Sequence, residues 1–239
     1  MKSNLIFGLL ATVLLVCSCD TESIRASDEI STREYSFSDY SKLQVWGDFD
    51  VFVWFSDTEE HIEIEANENL QDKIVVSKEG NTLRIGLENN ISIRGNATFK
   101  AYITTQNISE YSISGDSYVA LENMLLTENA TVNISGNSRF NGEIYAAALS
   151  MNLEGDSELN VFGTANTLNA DLSGDSELKD YDMIVNDLIL KLTGDSEAFL
   201  SVTETIDIDA SGDSVLNYSG NAEIIRQRLS GDSRIRKRD

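Results

Sequence analysis

The sequence predicts an all-β fold, a parallel β-helix (a solenoid) of about 19–20 residues per coil with an irregular N-terminal β cap. Two observations predict it: a four-residue phrase that returns at a nearly fixed period, and apolar columns at even offsets around it. The phrase is Ser114-Gly115-Asp116-Ser117, Ser135-Gly136-Asn137-Ser138, Glu154-Gly155-Asp156-Ser157, Ser173-Gly174-Asp175-Ser176, Thr193-Gly194-Asp195-Ser196, Ser211-Gly212-Asp213-Ser214 and Ser230-Gly231-Asp232-Ser233. Successive glycines stand 21, 19, 19, 20, 18 and 19 residues apart.

The flanks give the kind of coil. Two residues before each glycine stand Ile113, Ile134, Leu153, Leu172, Leu192, Ala210 and Leu229, and four after it Val119, Phe140, Leu159, Leu178, Ala198, Leu216 and Ile235. Val132, Met151, Ala170, Leu190 and Ile208 continue the pattern four before, and Ala130, Leu149, Leu168, Leu188, Ile206 and Ile225 six before. Even offsets mean strands with one buried face. Each glycine is expected at a tight turn with positive φ, and the Asp or Asn after it is of a type whose side chain bonds turn backbone. The second Ser of each phrase is expected to point inward and bond the neighbouring rung. A second turn is often marked by glycine, at Gly142, Gly163 and Gly220. Gln227 breaks the apolar column in the last rung, as an exposed solenoid end requires.

Ahead of the repeats, residues 35–108 carry strands without the strict period and read as the opening of the same solenoid. In Leu43 to Phe55 the residues Leu43, Val45, Phe49, Val51, Val53 and Phe55 share a core face. Trp46, Phe52 and Trp54 share the other, where aromatics either pack under a covering segment or form a platform on which a sugar ring can lie. Ile62 and Ile64 mark a half-buried strand, Asn67 to Lys73 a short helical turn capped by Asn67 or Asn69, and Ile74 to Leu87 a hairpin about Lys78-Glu79-Gly80-Asn81. His61 is the only histidine and reads as a surface residue.

Residues 1–18 form a short basic and then apolar leader, too short to span a bilayer as a permanent helix. It ends in Val16-Cys17-Ser18-Cys19, which resembles a bacterial lipoprotein box with Cys19 as the lipid-bearing residue. Residues 19–34 are polar and aperiodic and read as a tether, leaving 35–239 as the folded domain, with the repeats over 109–239. The expected partner is therefore a membrane, through Cys19. The formal net charge of −22 argues against nucleic acid. Arg226, Arg228, Arg234, Arg236, Lys237 and Arg238 crowd the C-terminus and read as a cap on the open end.

No catalytic residue set is read from the sequence, because a nucleophilic serine needs a base and His61 offers the only imidazole. No cofactor is implied. The ladder of like charges at Asp156, Asp175, Asp195 and Asp213 offers weak divalent-cation binding, by carboxylates on adjacent rungs.

The Phe49-Asp50-Val51 strand, the Ile62-Glu63-Ile64-Glu65-Ala66-Asn67 segment, the Gly80-Asn81-Thr82-Leu83-Arg84-Ile85 hairpin and the repeated Ser-Gly-Asp-Ser turns together resemble the bacterial family of auto-transporter adhesin head GIN domains. The resemblance covers about Tyr35 to Asp239. It implies a right-handed parallel β-helix of pectin-lyase-like shape without catalytic residues, carried on outer-membrane lipoproteins of Bacteroidetes, with adhesion as the role. The expected function is thus a non-enzymatic, lipid-anchored envelope protein that binds a glycan or protein ligand. The alternatives are a structural envelope protein without a ligand and a carbohydrate-active enzyme. The sequence ends in Ser233-Arg234-Ile235-Arg236-Lys237-Arg238-Asp239 rather than in the alternating, outward-apolar strands of a membrane barrel.

Overall fold

A computed structural model describes residues 22–179 and 181–238. The expected leader, 1–18, and Cys19 lie outside the described residues. The N-terminal section contains β1 (Glu22–Arg25), β2 (Ile30–Tyr35), β3 (Lys42–Gly47), β4 (Asp50–Phe55), β5 (His61–Asn67), β6 (Ile74–Glu79), β7 (Thr82–Leu87), β8 (Ile91–Arg94) and β9 (Phe99–Thr105). The repeats follow as β10 (Glu110–Gly115), β11 (Tyr118–Leu121), β12 (Leu125–Gly136), β13 (Arg139–Gly155), β14 (Glu158–Gly174), β15 (Glu177–Lys179), β16 (Met183–Gly194), β17 (Glu197–Ala210), β18 (Val215–Ser219), β19 (Glu223–Leu229) and β20 (Arg234–Lys237).

The repeats stack as parallel coils. Leu153 lies over Leu172 and Leu172 over Leu192, all fully buried, as the even offsets require. At each corner the glycine has positive φ, +82° at Gly174 for example, and a Cβ there would stand 2.7 Å from the Gly155 carbonyl oxygen. Glycine is thus needed both for the turn and for rung-to-rung approach. The inward serines behave as expected: Ser176 is 1% exposed and its hydroxyl donates to the carbonyls of Ser173 at 2.7 Å and of Gly155 one rung away at 3.1 Å. The corner Asp residues differ from the expectation. Their backbone N–H groups, not their side chains, bond the previous glycine carbonyl, as Asp175 does to Gly155 at 3.0 Å. Among the described residues, the side-chain bond within this column is Asn137 donating to Asp116 at 2.8 Å.

The first section is irregular for a topological reason. β3 and β4 meet at a corner of their own, Gly47 with φ +104°, and this rung is sandwiched between β7 and β9 on one side and β10 and β11 on the other. The chain lays one rung, builds the cap beside it, and returns on its opposite side. Phe49, fully buried, fills the place that Ser117 takes in the next rung. The cap uses antiparallel strands, β9–β5–β2 and the β6–β7 hairpin, with a 3₁₀ turn at Glu68–Lys73. Asn67 precedes that turn but makes no capping bond. Its side chain instead donates to the Ser27 carbonyl at 2.6 Å and accepts from the Thr98 N–H at 2.7 Å.

The expected tether is corrected from residue 22 onward. β1 pairs with β8 and β2 pairs with β5, so Glu22 to Tyr35 are folded against the cap. Their polar composition concealed this because only Ile24, Ala26 and Tyr35 of this stretch supply apolar contacts to the core. In the last rung, Ile225 is 60% exposed rather than inward, because a bulge pairs Ile206 with Ile224 and pushes Ile225 out.

Candidate functional site

The register places a continuous outer face across the N-terminal sheet, in the strand order β11–β4–β9–β5–β2. Inward residues such as Val51, Val53, Ala101, Ile103, Ile62 and Ile64 are fully buried or nearly so, which fixes their alternate neighbours outward. Phe52 is in register with Tyr102, Tyr102 with Glu63, and Glu63 with Glu34. One pair further along, Trp54 meets Thr104 and Thr104 meets His61.

The aromatics of this face form one group. Phe52 stacks on Tyr102 at 5.6 Å between centroids, Trp54 stacks on Tyr102 at 6.5 Å, and Phe52 meets Tyr118 edge-on at 6.4 Å. Trp54 is the most open, at 37% exposure. Beside Tyr118 a shallow groove of about 410 Å³ is lined by Asp50, Arg139, Asn141, Glu158 and Asn160. Glu158 is tied to Lys179 at 2.9 Å and Glu65 to Lys100 at 3.1 Å. The hydrogen bond to Glu65 holds the Lys100 ammonium above its usual pKa. The result is a flat apolar patch with amides and charges along its rim, suited to a ring with a hydrophobic face and polar edges.

The three aromatics read from the sequence do not stay together. Phe52 and Trp54 lie in the stack, but Trp46 precedes the Gly47 corner and belongs to another face. There its indole covers Gly86, where a Cβ would come within 2.1 Å of the ring. Its N–H donates to the Leu87 carbonyl at 2.8 Å and the Arg84 guanidinium lies 5.3 Å from the ring centre. Trp46 is half-buried and committed to these contacts. Tyr102 and Tyr118 join the face through long-range pairing, and alternation within β9 and β11 was the one signal that pointed them outward.

The corner carboxylates Asp156, Asp175, Asp195 and Asp213 form a single exposed column, one per rung. Alternate members of such a column stand about 9.6 Å apart at the usual strand spacing, so at most two neighbours can share an ion. Among the described residues, the group of three side chains within coordinating reach is elsewhere: Glu34, His61 and Glu63, with ligand atoms within 4.8 Å of one another. His61 is exposed, as expected, but not isolated.

The model of the family described as "putative auto-transporter adhesin, head GIN domain" matches residues 39–222. The chain belongs to this family. Solved structures share this fold at low identity. A putative adhesin from Bacteroides fragilis aligns with TM-score 0.81 at 20% identity, over 90% of this chain and 98% of its own. A putative lipid binding protein from Parabacteroides distasonis aligns with TM-score 0.75 at 21% identity, over 91% of this chain and 100% of its own. A putative adhesin from Parabacteroides merdae aligns with TM-score 0.68 at 17% identity, over 91% and 100%. No curated protein matches the sequence.

Proposed function

We propose that this head GIN domain is a non-enzymatic binding module of the cell envelope, held at the outer membrane by lipid on Cys19, and that it takes a carbohydrate on the Phe52, Trp54, Tyr102 and Tyr118 face. The aromatic stack on a rigid sheet, exposed at Trp54 and half-buried at Phe52, Tyr102 and Tyr118, carries this reading: the rings are held by mutual stacking, so little ordering entropy is lost when a ligand docks. Membership in an adhesin-head family supports a binding role, and the second corner serines from Ser117 to Ser214, buried and bonded to backbone, support the absence of hydrolytic chemistry.

Glycan-array binding by the protein, its Trp54→Ala variant and its Tyr102→Ala variant tests the ligand. The protein is expected to bind a defined set of glycans, and each variant to lose at least tenfold in affinity, about 1.4 kcal/mol, with an unchanged melting midpoint. A blank array, or binding indifferent to both substitutions, would refute the carbohydrate reading. For the anchor, Cys19→Ser is expected to move the protein from the membrane to the soluble fraction.

A further inference from the structure

His61 and Glu63 stand two residues apart on β5, so both project from the outer face. Glu34 on antiparallel β2 lies directly opposite Glu63. Like charges placed opposite one another on neighbouring strands destabilise a sheet, and among the described residues neither carboxylate has an ion-pair partner. Lys100 of the same face is committed to Glu65, and Arg33, next to Glu34 in the chain, to Asp72. One imidazole nitrogen and two carboxylate oxygens thus converge, within 4.8 Å of one another, with excess negative charge.

We propose that Glu34, His61 and Glu63 bind a divalent first-row transition metal, with zinc as the best fit. The imidazole decides the class, since nitrogen ligands suit zinc and its neighbours while calcium and magnesium take oxygen. Zinc holds nitrogen and oxygen ligands at about 2.0–2.2 Å, so three corners of its tetrahedron are roughly 3.4 Å apart. The three side chains reach that spacing by turning about their own bonds, because Glu34 and His61 are exposed and Glu63 is half-buried. Three protein ligands leave a fourth position open for water or for a donor on a bound molecule. Glu63 is in register with Tyr102 and His61 with Thr104, which sets the metal one strand from the aromatic stack. The metal site stands independently of the carbohydrate reading.

Calorimetric titration of the protein with zinc, without any glycan, tests the site. One zinc per chain is expected, with affinity reduced at least tenfold in each of Glu34→Gln, His61→Gln and Glu63→Gln, and no displacement by a hundredfold excess of calcium. All three variants are expected to keep the metal-free melting midpoint, and the carbon-bound ring protons of the sole histidine to shift in the NMR spectrum on adding zinc. Absence of saturable binding, parent-like binding by His61→Gln, or displacement by calcium would overturn the proposal. So would loss of zinc in Asp156→Asn/Asp175→Asn, which would put the ion on the corner column. A blank glycan array leaves the zinc result untouched, and the reverse holds.

Discussion

Replacing Gly174 by alanine separates the two demands made on a corner glycine. Gly174 has φ +82°, and an added Cβ would stand 2.7 Å from the Gly155 carbonyl oxygen and 3.1 Å from the Gly155 Cα. That oxygen already accepts the Asp175 N–H at 3.0 Å and the Ser176 hydroxyl at 3.1 Å, so forcing it away weakens both bonds. Gly80, in the hairpin turn, has φ +60° and open space within 4 Å of where a Cβ would sit, so Gly80→Ala carries the backbone cost alone. The left-handed conformation costs a residue with a side chain about 1–2 kcal/mol. Overpacking adds about 1–3 kcal/mol, giving roughly 2–5 kcal/mol at Gly174 against about 1–2 at Gly80. For a chain of this size a midpoint moves about 2–4 °C per kcal/mol, so calorimetry or circular dichroism resolves the two. Gly231→Ala is the internal check. Its Cβ would meet the Gly212 oxygen at 2.7 Å too, but among the described residues no further rung lies on this last one, which can lift away, so its cost falls between the others. Equal losses at Gly174 and Gly80 would refute the claim that rung approach, and not φ alone, fixes glycine in this column.

Asp48 at the first corner has its pKa raised by burial, then by Asp116 and Asp50. A carboxyl whose folded pKa lies above its unfolded value costs stability as pH rises through the window between them, from about 4 upward. Asp48→Asn is therefore expected to melt above the parent at pH 7 with the gap closing near pH 3; a gap independent of pH would contradict this. At the other end, among the described residues, β19 and β20 each pair on one side only, β20 with Arg234 and Arg236 exposed along it. Charged residues protect such edges, so Arg234→Ile/Arg236→Ile is expected to give larger species by light scattering than the parent. An unchanged size would show that these charges do not guard the edge.

The repeating rungs were legible because the same inward residues recur at the same offsets, and a parallel stack sets like on like: Leu153, Leu172 and Leu192 state the fold by themselves. The first corner was hidden because Phe49 replaces the serine that marks the others, and because its rung pairs with partners 68 residues on. Period-2 alternation put Trp46, Phe52 and Trp54 on one outward set, yet the Gly47 corner turns the chain between them, so parity survives and the face does not. Tyr102, Tyr118 and the Glu34, His61 and Glu63 group depend on which strands become neighbours. That choice rests on long-range pairing in the cap, where no repeat supplies a register.

The division between regular and irregular parts also bears on where function sits. A solenoid constrains inward and corner positions most tightly, while outward ones are tied by rung-to-rung bonds such as Asn160 donating to Asn141 at 3.1 Å. Around the Gly47 rung the local rules are broken. Antiparallel strands join a parallel stack, phenylalanine takes a serine's place, Trp54 stays open on a surface, and among the described residues two carboxylates face each other without a counter-charge. Sequences that are otherwise consistent across levels tend to depart from consistency where a site has been built. Both proposed sites, the aromatic face and the histidine-carboxylate group, lie on the sheet around that rung, with the repeats stacked on its other side.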